Sequence, residues 1–502
     1  MSGNGFALLG AAILATAAYW YLSKSARRLR LPPGPKPRLL FGNLYQLPST
    51  EPWLTYADWA KAFGPIVYFQ TLQRQVVVLN SLKAASDLLD ARSHIYSDRP
   101  VIWMAGELAG RKKTVFHTRF LDPRFKLFRK LLNAGLNART SRNYRPIQIE
   151  EKNVLLKALA TNPEDFVGHV RRNAAAVILK IAYGYHVDGN DDLLVKVIDE
   201  GFKLTGSILT PGKYLIESFP ALRFVPEWFP GAGFKRVAKH AREQLSRIEQ
   251  VPLNWARANI ATGDYVESFI SEYLYPESGE LPSEEEQDII KWSSAVLYAG
   301  GADTTVSIMT TFFLIMALYP EVQKRAQAEI EQVTAGRLPT LDNYDSLPYV
   351  IALVKEIMRW GPSLALSLPH MVMEDDIYEG YVIPKGTTIY GNIWAIGHDE
   401  SVYPNPMTFD PSRYIGENPQ PDPYKFVFGF GRRICPGAHL AEMSIFLNIA
   451  NILATFNISK AVDENGKEVE PTVAWTTGPT THLKPFSCQI TPRFDVLAAL
   501  SQ

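Results

Sequence analysis

A mainly α-helical fold with small β-sheets is what this sequence predicts, and three observations predict it. Helical patterning dominates from Leu82 to about Lys355. Strand-like runs are short and fall before and after that block, and no repeat, low-complexity tract or linker divides the chain from about Leu40 onward. With 502 residues, 46% of them apolar, the chain can bury one large core. Charge is balanced, 52 basic against 51 acidic residues, so nothing global points to nucleic acid. Two cysteines, Cys435 and Cys488, are too few for a disulfide framework and suit a reducing compartment.

In chain order, residues 1–23 carry no charge, and Phe6 to Leu22 would form an apolar helix about 25 Å long against a hydrocarbon core of about 30 Å. Ala15-Thr16-Ala17 could mimic a signal-peptide cleavage site, but the amino end lacks a basic region. Lys24, Arg27, Arg28 and Arg30 instead follow the span, and Tyr19-Trp20-Tyr21 sits where an aromatic belt would. A transmembrane anchor over 1–23 with the body in the cytosol is the expectation. Residues 24–39 form a basic, proline-rich hinge, with Pro32-Pro33-Gly34-Pro35-Lys36-Pro37 as a stiff spacer, and 40–502 form the globule.

Early strands fit Ile66 to Leu72 and Gln75 to Asn80. The longest helix opens on a capping box, Ser283 with Glu286, and its periodicity runs to Leu318 ahead of Pro320, about 35 residues or roughly 52 Å. Its apolar half, Val306 to Tyr319, is too short for a bilayer and suits a buried core helix. At its centre lies Gly300-Gly301-Ala302-Asp303-Thr304-Thr305. Paired glycines invite a bulge that frees carbonyls and admits water or dioxygen, with Thr304 holding the oxygen and Asp303 passing protons. The competing reading is a packing notch for a crossing helix, with Asp303 in a salt bridge.

Glu356 and Arg359 stand three apart on the apolar helix Tyr349 to Trp360, where an ion pair needs further partners. Arg413, in Phe409-Asp410-Pro411-Ser412-Arg413-Tyr414, is the third member expected. Strands return at Tyr381 to Ile383 and Thr387 to Asn392, around the turn Pro384-Lys385-Gly386.

Phe428-Gly429-Phe430-Gly431-Arg432-Arg433-Ile434-Cys435-Pro436-Gly437 then precedes a helix from Ala438 to about Phe456. The glycines let main-chain N–H groups turn toward the Cys435 sulfur, and the helix N-terminus favours an anion there. Arg433 adds a cation suited to a carboxylate, and Phe428 shields the sulfur from water. A buried structural cysteine in a glycine-rich turn is the competing reading. Cys488 reads as a small core residue in a strand. No Gly-x-Gly-x-x-Gly run follows a strand, so no nicotinamide or flavin site is expected within the chain. His439-x-x-Glu442 lacks the two-histidine pattern of zinc hydrolases.

Phe428, Gly431, Arg433, Cys435 and Gly437 match, position by position, the Phe-x-x-Gly-x-Arg-x-Cys-x-Gly signature of cytochrome P-450 haem–thiolate proteins. Gly301-Ala302-Asp303-Thr304-Thr305 is similar to the family's oxygen-activation motif, and anchor, hinge and Glu-x-x-Arg pair fall in the family's order. Stretches such as Trp228 to Lys235 look most like fungal members of specialised metabolism.

The resemblance implies a cytochrome P-450 fold: one haem domain, haem b with its iron on Cys435, and Asp303 and Thr304 as the catalytic acid and alcohol. Arg433, Phe428, Gly437, Arg129 and His370 would hold the haem, and Glu356, Arg359 and Arg413 would brace the loop before the cysteine. Phe125 stands where the family has a tryptophan, so an indole donor to the haem is lost.

Electrons would come from NADPH through the membrane-bound NADPH–cytochrome P-450 reductase, docking on Lys126, Arg129, Lys130, Lys425 and Arg432 at the endoplasmic reticulum. The implied reaction is monooxygenation of a lipophilic terpenoid, polyketide or indole-derived compound. Its pocket would be walled by Val101 to Leu108, Leu297, Ala299, Leu364 to Leu368 and Thr477 to Thr480, with Glu107 as the obvious carboxylate for an amine. An isomerase or dehydratase that uses no dioxygen, or a non-catalytic haem carrier or sensor, are the alternatives.

Overall fold

The computed structural model describes residues 30–500 apart from 211, 277 and 278, so the expected anchor over 1–23 lies outside the described residues. The principal elements are α1 (Pro52–Phe63), β1 (Ile66–Thr71), β2 (Arg74–Leu79), α2 (Pro123–Leu136), α3 (Arg145–Thr161), α4 (Phe166–Tyr183), α5 (Leu193–Leu209) and α6 (Gly233–Thr262). They continue with α7 (Glu284–Leu318), α8 (Pro320–Thr334), α9 (Pro348–Trp360), β3 (His370–Met371), β4 (Asp376–Tyr378), β5 (Tyr381–Ile383) and β6 (Thr388–Gly391). The last are α10 (Ala438–Thr455), β7 (Phe456–Val462), β8 (Glu468–Val469) and β9 (Cys488–Pro492), with shorter helical turns between.

Helix α7 spans the molecule and is its axis. Ser283 accepts from the Glu286 N–H while the Glu286 carboxylate takes the Ser283 N–H at 2.9 Å, the reciprocal cap that the spacing predicts. The helix stops where Pro320 opens α8. From Thr305 to Ala317 it is buried, with Phe312, Phe313 and Leu314 fully so, and a helix apolar enough to cross a membrane serves instead as the core. Helix α4 packs along it at a glycine: a Cβ on Gly301 would sit 2.7 Å from Ile178 Cδ1. The expected bulge is absent, and α7 runs unbroken through Gly300 and Gly301. The Thr304 and Thr305 hydroxyls donate to the Gly300 and Gly301 carbonyls at 2.7 and 2.6 Å, so these carbonyls are engaged from within the helix itself.

Four strands form the main sheet in the order β1-β2-β6-β3, with β1/β2 antiparallel and β2/β6 parallel. The strands flanking Pro384-Lys385-Gly386 therefore enter different sheets. β5 pairs instead with β4, across a two-residue turn in which Glu379 and Gly380 both have positive φ, 50° and 80°. That turn matches strand twist, which settles the pairing. A third sheet, β8-β7-β9, closes the carboxyl end. Cys488, on β9, is a half-buried residue against the main core, and burial pushes its thiol up to about 12.

The proline-rich stretch is not a free spacer where it is described. The Arg30 carbonyl accepts from Val382 N–H and the Pro33 carbonyl from Tyr68 N–H, both at 2.9 Å. A Cβ on Gly34 would meet the Tyr68 carbonyl oxygen at 1.8 Å, so only glycine passes there.

Candidate functional site

Between α7, α2, α5, the Leu364–His370 segment and the cysteine loop lies a cavity of about 750 Å³. The loop is built by its own backbone. Cys435 N–H donates to the Phe428 carbonyl at 2.8 Å, closing the turn, and Gly431 N–H donates to the Asp90 carboxylate. Gly429 and Gly431 hold φ of 79° and 51°, and a Cβ on Gly431 would lie 2.3 Å from the Leu89 carbonyl oxygen. Gly429 is thus required by its backbone angle and Gly431 by both angle and space.

Cys435 lines the cavity, and the exposure it has is toward that space. Burial raises its thiol, against the Gly437 N–H that points at the sulfur and the Arg129 charge. A cation on the cavity side would reverse that balance. Phe428 lines the cavity beside the sulfur and packs edge-on against Tyr424 at 5.3 Å.

Arg433 donates to the Ser97 and Thr118 carbonyls at 2.8 Å each and stacks 4.0 Å above Phe125. The ring that replaces the expected tryptophan keeps an aromatic platform for the guanidinium but supplies no N–H. Arg129 donates to the Ile434 carbonyl at 2.8 Å. His370 shares its Nδ1 hydrogen bond with the Tyr96 carbonyl at 2.7 Å, so Nδ1 carries the proton, and burial holds the ring well below the usual imidazole range. Arg99 belongs to the same wall and was not foreseen from the sequence. It donates to the Leu368 and Pro369 carbonyls at 3.0 and 2.6 Å, while its buried Nε has no partner.

Among the described residues, Arg99 and Arg433 are thus cations held by carbonyls and in no salt bridge, and the Asp98 charge that acts on both is itself paired with Arg119. Burial lowers both, and the Arg99 charge lowers Arg433 further. This donor set fits a dianionic planar group laid over the cysteine sulfur: a sulfur with an N–H behind it, unneutralised guanidiniums at the edge and apolar walls.

Across the cavity, α7 presents Asp303 and Thr304. Asp303 pairs with His482 Nε2 at 3.1 Å. Burial opposes its charge, but His482, Thr480 and Arg171 together hold its carboxyl below the usual carboxylate range. The notch and the salt bridge of the competing reading are both present, in the same turn of helix that faces the cavity.

Of the expected walls, Leu297, Ala299, Leu364, Ser367, Leu368 and Thr477 to Thr480 line the cavity, whereas the Val101–Leu108 stretch contributes Ala105. Glu107 is a correction. It lies outside the cavity and pairs with Lys112 at 3.0 Å, drawn there by the basic run that follows it. The carboxylates that do line the cavity among the described residues are Asp303 and Asp199, the latter paired with Arg171 at 3.0 Å.

The Glu356 cluster lies outside the cavity, with Glu356 and Arg359 wholly buried. Arg359 Nε and Nη2 donate to Glu356 at 2.8 Å each, and Arg413 Nε donates to Oε1 at 3.2 Å. Tyr414 OH and Asp410 N–H, each 3.0 Å from the carboxylate, complete it. Arg359 also lies over Tyr403, whose hydroxyl donates to the Pro421 carbonyl at 2.8 Å, a few residues before the cysteine loop. Lys126, Lys130, Lys425 and Arg432 are exposed, while Arg129 is half-buried and turned to the loop.

The sequence from 32 to 483 matches the family model described as Cytochrome P450. It is 42% identical over 491 residues to cytochrome P450 monooxygenase 208 of Postia placenta, covering 96% of this chain and 95% of that one. It is 41% identical to cytochrome P450 monooxygenase claR of Ampulloclitocybe clavipes, covering 93% and 87%. With tryptamine 4-monooxygenase of Psilocybe cyanescens it shares 36% identity over 97% of both chains. Matches of this extent leave no part of the cavity or its loop outside the alignment, and the chain belongs to the cytochrome P450 family as a monooxygenase of its haem–thiolate chemistry.

Proposed function

We propose that the protein binds haem b with its iron on Cys435, takes electrons from NADPH through a membrane-bound P-450 reductase, and oxidises a lipophilic small molecule with dioxygen. The observation that carries this reading is one cavity holding the Cys435 sulfur on one wall and Asp303 with Thr304 on the other. When bound, the haem supplies iron for activating dioxygen, with the thiolate donating electron density. The chain's own residues do the rest. Gly437 N–H steadies the sulfur's charge, while Arg433, Arg129, His370 and the unforeseen Arg99 hold the propionates. Phe428 keeps water off the sulfur, and Thr304 and Asp303 hold and move protons at the opposite wall.

The substrate is read as neutral and lipophilic, because the cavity is largely apolar and both of its carboxylates are already paired. A terpenoid, polyketide or indole-derived metabolite of a fungal specialised pathway fits. The name of the tryptamine-oxidising relative supports the indole branch. Lys126, Lys130, Lys425 and Arg432 form the reductase-facing surface.

An anchor over 1–23 would place the haem domain, from residue 40 onward, on the cytosolic face of the endoplasmic reticulum. Leu39, Leu40 and Tyr45 are exposed, as are Leu215, Phe224 and Trp228, and such apolar surface suits contact with a bilayer.

Reduced protein under carbon monoxide should show the far-red-shifted Soret band of a thiolate complex, and Cys435→Ala should abolish it. Retention of that band in Cys435→Ala would overturn the assignment. Oxygen uptake dependent on NADPH and reductase then separates an oxygenase from an isomerase.

A further inference from the structure

The Asp303 carboxyl is held charged, so at neutral pH it carries no proton of its own to pass inward. Whatever it delivers must first be handed to it. His482 Nε2, 3.1 Å from Oδ1, is the titratable group placed to do so, and its side chain is 26% exposed while that of Asp303 is 16% exposed. The other charges facing the pair are Arg171 from α4 and Asp199 with Lys203 from α5. Arg171 and Asp199 are engaged with each other at 3.0 Å.

His482 belongs to a loop with a second duty. Thr476 N–H donates to the His482 carbonyl at 2.8 Å, and His482 N–H donates to Thr476 Oγ1 at 3.1 Å, closing a turn whose Thr477, Pro479 and Thr480 line the cavity. The loop's base is fixed to α7, where Ser307 donates to the Thr481 carbonyl at 2.5 Å, and to the Pro362 carbonyl through Thr481 Oγ1 at 2.9 Å.

We propose that His482 is the positioning residue for proton delivery: it supplies Asp303 with its proton and ties that supply to the loop that touches substrate. The proposal rests on the oxygenase reading above. In the step, the Nε2–H bond of the imidazolium breaks as an O–H bond forms at Asp303 Oδ1. Asp303 then holds that proton on the cavity wall it shares with Thr304, and water at the exposed edge reprotonates the ring. Each insertion takes two electrons and two protons with one dioxygen, giving one hydroxyl in the product and one water. When that proton is not delivered, the same two electrons and two protons leave with the dioxygen as hydrogen peroxide. A substrate that seats the Thr476–Thr480 turn correctly thus also sets the proton donor.

Two measurements on the full-length protein test this. Carbethoxylation of His482 by diethyl pyrocarbonate, read by peptide mass spectrometry, needs no turnover. The ring tied to Asp303 through Nε2 should react slowly, and Asp303→Asn should speed it several-fold. Equal rates overturn the pairing.

In the second, NADPH oxidation with reductase and 7-ethoxycoumarin as lipophilic probe is followed together with peroxide release. His482→Gln should keep the reduced carbon monoxide band yet raise the peroxide share several-fold. The wild-type coupled fraction should depend on pH, while the variant's stays flat. A glutamine variant matching wild type in both respects overturns the proposal, since glutamine keeps a hydrogen bond but carries no transferable charge. Absence of the carbon monoxide band or of NADPH oxidation in the wild type would instead refute the oxygenase reading, and the carbethoxylation result would stand apart from it.

Discussion

Glu356 accepts from two arginines, a tyrosine and a main-chain N–H, and has no contact with solvent. Removing one member of such a cluster leaves the others charged and dry. Glu356→Ala should therefore cost about 3–5 kcal/mol of stability, measured by denaturant unfolding, and lower haem retention because the Tyr403–Pro421 link leads to the cysteine loop. The sequence shows this cluster's charged members, since an ion pair amid Val354, Ile357 and Trp360 needs partners. It does not show Asp410 N–H, because a backbone donor has no residue type to betray it. Arg99 escapes for a related reason: its partners are the carbonyls of Leu368 and Pro369, far away in sequence and silent in composition. At Thr304, Thr304→Val removes a hydroxyl whose visible bond is to Gly300, so the fold should hold while the peroxide share rises.

At the scale of elements, the capped helix α7 is the part most plainly written in the chain, because its Ser283–Glu286 cap and Pro320 stop act within one turn. What happens in its middle depends on another helix. Gly301 is a notch for Ile178, so Gly301→Val should cost about 1–3 kcal/mol in thermal or denaturant unfolding and push α4 from α7. Gly431 is stricter, since its φ is 51° and the atom a Cβ would meet is a backbone oxygen that cannot swing aside. Gly431→Ala is expected to yield protein lacking haem, scored by the haem-to-protein absorbance ratio, whereas Gly300→Ala, with open space around it, should fold normally. The sheet shows the opposite limit of legibility. Short strands around Pro384 could be found from alternation, but their partners were chosen by the Glu379-Gly380 turn and by β2, more than three hundred residues earlier.

For the whole molecule, acid sensitivity follows from histidines buried neutral. Burial, with Arg359 nearby, pushes His398 down to about 3, and burial pushes His117 down to about 4. Between those values and the ordinary imidazole value of 6.5, the unfolded chain binds protons that the folded one refuses. Stability is therefore fully present above about pH 6.5 and declines as pH falls below it. Chemical denaturation midpoints measured from pH 7.5 to 5 should fall steadily, and His398→Phe should flatten part of the slope.

The helical character of the main core was legible because apolar periodicity is a local signal. The way the amino-terminal strap lies on the sheet was not, since a run of prolines reads equally as a spacer or as a pinned strand. That pinning has a mechanical consequence. A tether fastened to Tyr68 and Val382 transmits torque, so a membrane segment ahead of Arg30 would set the tilt of the whole globule, and with it the direction in which the cavity mouth opens. Flexible residues inserted before Arg30 would free that tilt. The same insertion after Lys36 would leave the fastening in place and change little.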